Sequence, residues 1–213
     1  LAKELRGTNK SYILSIVREL ICDMLNKRFS ELAMKPEATF VAAGSYYGEL
    51  VKEKDAFTAV YLTKQGQETQ AYADLLLQLE GMRRYGFTNA ELERVKKETI
   101  AAYEKSYNER NTMRNIAYVQ EYINNYLSGE PIPGIEWEYT AIQQLLPAID
   151  VNMINQYAHT FVTDSNLIIS FQAPEDATIV LPTEAEAINV LNEVKNLNIE
   201  APVEETIREN LVW

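Results

Sequence analysis

The sequence predicts an α+β fold: an antiparallel sheet with helices packed on one face. Three observations predict it. A long amphipathic helix stands near the start, and two runs rich in β-branched and aromatic residues follow it. A series of helices then leads to one last short apolar run, so strands and helices come in blocks rather than in alternation. The sheet is short of strands for so many helices, and a strand or two ahead of the first helix would complete it. The chain starts at Leu1 rather than Met, enters almost directly into a helical pattern, and stops at the apolar Leu211-Val212-Trp213. It therefore reads as a piece of a longer protein whose N-terminal strand or strands are missing.

Residues 10–33 place Tyr12, Ile13, Ile16, Val17, Leu20, Ile21, Met24, Leu25, Phe29 and Leu32 three and four apart, the pattern of a largely buried helix. Pro36 ends it. Residues 39–43 and 56–62 then read as strands. Between them Gly44 and Gly48 mark a bend or bulge. They are not a phosphate loop, since no Lys-Ser/Thr pair follows and no helix opens there. The stretch from Gly44 to Asp55 is long for a tight hairpin and leaves room for a further extended segment.

Gln65-Gly66 closes the second strand, and a helix over 68–85 buries Ala71, Tyr72, Leu75, Leu76, Leu79 and Met82. The best-specified local structure comes next, at 85–110. Gly86 suits a helix stop. Thr88 and Glu91 form a capping box, and Phe87 and Leu92 a hydrophobic staple. Leu92, Val95, Thr99, Ala102 and Ser106 should face inward, with Glu91, Lys96, Lys97 and Glu104 outward. A break at Asn111-Thr112 leads to a helix over 113–127 with Ile116, Val119, Ile123 and Tyr126 on one face, and Tyr118, Tyr122 and Tyr126 read as packing surface. After a turn at 128–134 come helices at 136–146 and 151–161, the second capped by Asp150. Residues 167–171 read as a buried strand ended near Pro174. The domain boundary falls there: 1–174 forms the domain, and 175–213 an acidic connector with one helix over 183–195, capped by Thr183 with Glu186.

The 213 residues are 46% hydrophobic and 24% charged, an ordinary globular composition that can bury one sizeable core. The sequence shows no membrane span and no signal peptide. Net charge is −11, which excludes nucleic acid as a partner, because phosphate contacts need clustered Lys and Arg. The acidity belongs mostly to the tail: residues 175–213 hold nine carboxylates against Lys195 and Arg208.

Chemistry is hard to assemble from these residues. Cys22 is the only cysteine and His159 the only histidine, so neither a disulfide nor a hydrolase-type zinc site forms in the usual way. Cys22 reads as a small buried side chain rather than a nucleophile, and His159 as an ordinary helix-end histidine. Glu91, Glu93, Glu98 and Glu104 read as a solvated helix face. No catalytic, cofactor-binding or metal-ligating residue is expected, and the piece alone is not expected to be an enzyme.

The run RELICDMLNKRFSEL, two strands, a long helix into YGFTNAELERVKKE, and the helix before YLSGEPIPGIEWE resemble the insulinase/pitrilysin family of zinc metallopeptidases (inverzincins). The GFT-x-x-EL-x-x-x-K element at Gly86–Lys96 carries the most weight. The likeness covers about residues 10–172 and is to the second, non-catalytic domain of the N-terminal half in large bacterial members. It implies a catalytically silent, insulinase-like domain that supports the catalytic domain of the same chain and helps enclose the peptide substrate. The family's His-x-x-Glu-His zinc site has no counterpart here, so zinc is expected in the catalytic domain of the parent, a zinc-dependent endopeptidase, and not in this piece. Two alternatives stand beside it: a non-proteolytic scaffold or core subunit of the same fold, and an independent helical protein-binding module. The residues leave the compartment unknown; a cell-envelope or periplasmic location suits bacterial members.

Overall fold

A computed structural model describes residues 8–51, 54–112, 114–176 and 178–204. Helix α1 runs Asn9–Ala33, with Thr8 as N-cap accepting from the Ser11 amide. Its Ile16, Val17, Leu20, Ile21, Met24, Leu25 and Phe29 are all buried and form the spine of the core. Strands β1 (Phe40–Val51) and β2 (Lys54–Thr63) form one antiparallel hairpin laid against α1. Ala43, Phe57, Ala59 and Tyr61 turn inward onto the core, while Tyr46, Val60 and Leu62 are exposed on the other face. Asn26 of α1 fastens the two layers: its side chain accepts from the Ser45 amide at 2.6 Å and donates to the Ser45 carbonyl at 3.0 Å.

After a turn at Gly66, where φ is 77°, come α2 (Glu68–Tyr85) and α3 (Asn89–Asn108). A short 3₁₀ turn at Arg110–Thr112 precedes α4 (Asn115–Ser128). Helix α5 (Ile135–Leu145) continues into a 3₁₀ turn, Leu146–Ala148, where Pro147 stops it. Asp150 caps α6 (Val151–Ala158), accepting from the Met153 amide at 2.8 Å. Ile142, Leu146, Ile149, Ile154 and Ala158 join the core opened by α1. Helix α7 (Glu184–Asn196) carries the expected capping box of Thr183 and Glu186 and buries Ala187 and Val194.

The α+β class stands, with the helices on one face of the hairpin. Several local expectations are corrected. Gly44 and Gly48 sit in ordinary pairs opposite Val60 and Ala56; the irregularities fall between Phe40 and Ala42 and between Glu49 and Val51. The long stretch after Gly44 holds no separate segment, because both strands simply extend to the hairpin tip. Helix α6 stops at Ala158, short of Phe161.

On α3, Ala102 and Ser106 are exposed because the helix outruns the core. Its far half leans instead on α5, with Tyr107 stacked on Tyr139 at 5.2 Å. Lys96, expected outside, is only 8% exposed; its apolar stem lies down while its ammonium reaches Glu93 at 2.8 Å.

The two largest corrections concern apolar residues. Helix α4 starts at Asn115 rather than at 113, and the intended inner face is outside: Ile116 is 68% and Tyr126 87% exposed. No described element covers that face, so its tyrosines are not packing residues here. Residues 167–171 are not a strand, and Ile168 is 82% exposed. A strand needs a ladder partner, and neither described strand pairs with this stretch. Only Phe171 packs, edge-on to Tyr72 at 5.3 Å.

Candidate functional site

At the α2–α3 corner, side chains of α1 and α6 and the tail after α7 all meet. Gly86 ends α2 with φ 68° and ψ −138°, a region that side chains beyond glycine rarely enter. Space enforces the same choice: a Cβ there would lie 2.2 Å from Asn155 Oδ1. Asn155 of α6 is that close because it holds the Phe87 main chain at both ends. It accepts from the Phe87 amide at 2.8 Å and donates to the Phe87 carbonyl at 3.0 Å. Thr88 then accepts from the Glu91 amide at 3.2 Å, and Glu91 accepts from the Thr88 amide at 2.7 Å, completing the capping box. Phe87 and Leu92 are both buried in the core, as the staple expects.

Glu91 is not a solvated carboxylate. Arg28 of α1 donates to it through Nε at 2.6 Å and Nη2 at 2.9 Å, and reaches the Gly86 carbonyl at 3.0 Å. The guanidinium also lies 4.5 Å from the Phe87 ring centroid. One arginine thus joins the first helix to the helix stop, the staple and the cap.

The tail closes over the other side of the corner. Glu80, buried on α2, accepts from Arg83 and Arg84. Burial opposes its ionised form, but those hydrogen bonds and charges prevail and hold its carboxyl below the ordinary range. Arg84 goes on to donate to the carbonyls of Leu197 and Lys195, both at 2.7 Å. Tyr85 Oη donates to the Ile199 carbonyl at 2.7 Å, and Glu204 accepts from the Ala90 amide at 2.9 Å. Pro202 and Val203 complete the wall of a cleft of about 650 Å³ beside Arg28, Glu91 and Arg94.

The chemistry-bearing residues are placed apart from one another. His159 sits at the C-cap of α6 with Nδ1 against the Arg83 carbonyl. Cys22 is buried, and burial pushes its thiol up to about 11. Ser45 beside it donates to the Cys22 carbonyl, not to a histidine. Among the described residues no group of three or more His, Cys, Asp or Glu is arranged to hold a metal ion, and no helix is long and apolar enough to cross a membrane.

A second cleft of about 530 Å³ opens between the N-terminal turns of α1, the far end of the hairpin and the α4–α5 loop. Carboxylates gather along this exposed side of α1. Burial, then Asp23 and Glu138, push Glu19 upward; burial, then Glu121, push Glu138 upward.

Sequence reasoning found the corner but missed Arg28 and Asn155. Arg28 lies 58 and 63 positions from Gly86 and Glu91, and Asn155 lies 68 from Phe87, and no local pattern signals such a partner.

No family model matches the chain. It is 28% identical over 135 residues to a zinc protease PQQL-like protein of Arabidopsis thaliana, a match covering 62% of this chain and 14% of that protein. Its structure resembles the first half of the periplasmic protease PqqL from Escherichia coli, with TM-score 0.74, 13% identity, and coverage of 94% of this chain and 43% of that one. A predicted insulinase family protease from Yersinia pestis matches with TM-score 0.69 and 11% identity over 87% of this chain and 40% of that one. The chain therefore spans about a seventh of the curated relative and under half of each solved one. In fold the chain is similar to insulinase-family and PqqL proteases, and in sequence to a zinc protease PQQL-like protein.

Proposed function

We propose that this chain is a catalytically silent, insulinase-like domain of a zinc metallopeptidase, corresponding to the second domain of its N-terminal half. In this reading it supports the catalytic domain of the same chain and forms part of the wall around a peptide substrate. The observation that carries it is the pairing of a fold that matches part of the first half of a protease with a single histidine, His159, held against the Arg83 carbonyl. A zinc site of the hydrolase type needs two or three histidines. Zinc belongs to the catalytic domain of the parent, which supplies the metal-activated water for peptide hydrolysis. The stretch 175–213 is the connector toward the second half of the parent, and a strand ahead of α1 would complete the sheet. A periplasmic or cell-envelope setting fits PqqL, which is described as periplasmic.

The purified chain should retain no stoichiometric zinc after dialysis and should not cleave unstructured peptides. One zinc per chain by elemental analysis, or cleavage abolished by a chelator, would overturn the silent-domain reading. The preceding domain of the parent separates peptidase from scaffold, since an intact inverted zinc motif there supports the former and a degenerate one the latter. The exposed face of α4, with Ile116, Tyr122 and Tyr126 outward, favours as second reading a module that binds another protein.

A further inference from the structure

The cleft at the start of α1 combines an aromatic wall with acidic lining. One wall is aromatic: Tyr12 and Trp137 meet edge-on with centroids 5.1 Å apart, and Trp137 keeps 44% of its surface exposed. Pro131 and Pro133 extend that apolar lining. Among its described lining residues, acidic side chains outnumber basic ones. Glu49, Glu130 and Glu138 line the cleft, and among the described residues none of the three makes an ion pair. The cation at the cleft, Arg18, is already engaged, 3.5 Å from Asp55 and 4.0 Å from the Tyr47 ring centroid. Unpaired carboxylates beside an exposed indole attract a cation whose body is flat and weakly hydrated.

We propose that this cleft binds an arginine side chain of a polypeptide, with its guanidinium against the Trp137–Tyr12 wall and its charge met by Glu138 and the neighbouring glutamates. A purely apolar cleft would take an aliphatic side chain, and acidic residues without the rings would hold only diffuse counterions. The two together select a planar cation, which an arginine presents and a lysine does not. The inference goes beyond the chamber reading and stands whether the parent is a peptidase or a scaffold, because it concerns recognition by this chain alone.

The chain carries its own reporter. It has two tryptophans, Trp137 and Trp213, so Trp213→Phe leaves Trp137 as the sole indole. The full chain with that substitution is titrated with a short blocked peptide, Gly-Arg-Gly, with its citrulline counterpart, which keeps the shape and loses the charge, and with Gly-Lys-Gly, which keeps the charge and loses the plane. The expected result is a saturable change in Trp137 fluorescence with the arginine peptide and binding weaker by about tenfold with citrulline, equivalent to about 1.4 kcal/mol. Glu138→Gln should weaken the arginine peptide by a similar factor. Glu49→Gln, at an exposed position that leaves the fold intact, should weaken it less but measurably, and raised salt should weaken it further. No saturable change, equal binding of citrulline, equal binding of a lysine peptide, or indifference to both glutamate substitutions in folded protein would each overturn the proposal.

Discussion

Replacing Gly86 by alanine tests the corner most directly. The native φ of 68° with ψ −138° is strained for any residue with a Cβ, at about 1–3 kcal/mol. The new methyl would also lie 2.2 Å from Asn155 Oδ1 and 2.3 Å from its Cγ, so the amide must move. Moving it breaks the two hydrogen bonds to the Phe87 main chain, each worth about 1 kcal/mol net. Together these give a loss of about 3–5 kcal/mol, against a total stability of about 5–15 kcal/mol for a typical domain. Urea unfolding followed by far-UV circular dichroism should show the midpoint falling with the slope unchanged. Asn155→Ala alone should cost about 2 kcal/mol through the groups it leaves unpaired. The two changes should not add: the same hydrogen bonds are lost once, so the double variant should fall short of the sum by about 1–2 kcal/mol. A Gly86→Ala loss below about 1 kcal/mol, or strict additivity with Asn155→Ala, would refute the reasoning.

Arg28→Lys keeps a charge but loses the fork that meets Glu91, and should cost about 2 kcal/mol in the same assay; an unchanged midpoint would show that charge alone suffices. The Cys22 thiol, buried and raised to about 11, should react with a disulfide reagent at neutral pH only as fast as the protein opens, and fully in denaturant. Rapid labelling of folded protein would contradict its placement. Glu80 has a folded-state pKa below its ordinary 4.5, so its contribution is present above 4.5 and is lost as pH falls through the depressed value. Glu80→Gln should therefore flatten the acid limb of stability against pH. Glu19 has the opposite sign: its folded-state pKa lies above 4.5, so its ionised form weakens the fold at neutral pH. Glu19→Gln should stabilise at pH 7, with the gain vanishing as pH falls through that raised value toward 4.5. A gain that persists at lower pH would point to a cause other than charge.

What was legible in the sequence was local or periodic. The bounds of α2, the capping boxes at Thr88 and Thr183, and the Asp150 cap involve neighbours within a few positions, and the core face of α1 comes directly from spacing. What escaped depends on distant partners. Val119 and Ile123 have the spacing of a buried helix face, yet burial needs something to lie against, and spacing carries no information about that. Leu167-Ile168-Ile169 has strand composition, but a strand exists only with a ladder beside it. Lys96 shows the reverse, a charged residue whose stem finds cover that its type does not announce. Glu91 was read correctly as a cap and wrongly as solvated, because Arg28 reaches it from 63 positions away.

The fastening of the tail has a mechanical consequence. From Lys195 to Glu204 the chain is tied down at four points, three backbone carbonyls held by Arg84 and Tyr85 and the Glu204 carboxylate held by the first turn of α3. Whatever is joined beyond residue 204 is thus tethered at that corner rather than at the end of a slack line. A tug from that side is borne first by the Glu204–Ala90 and Tyr85–Ile199 hydrogen bonds, then by Arg84 and Glu80, and passes along the axes of α2 and α3 into the body of the protein. The corner is both the joint between two helices and the anchorage for any load on the chain beyond it.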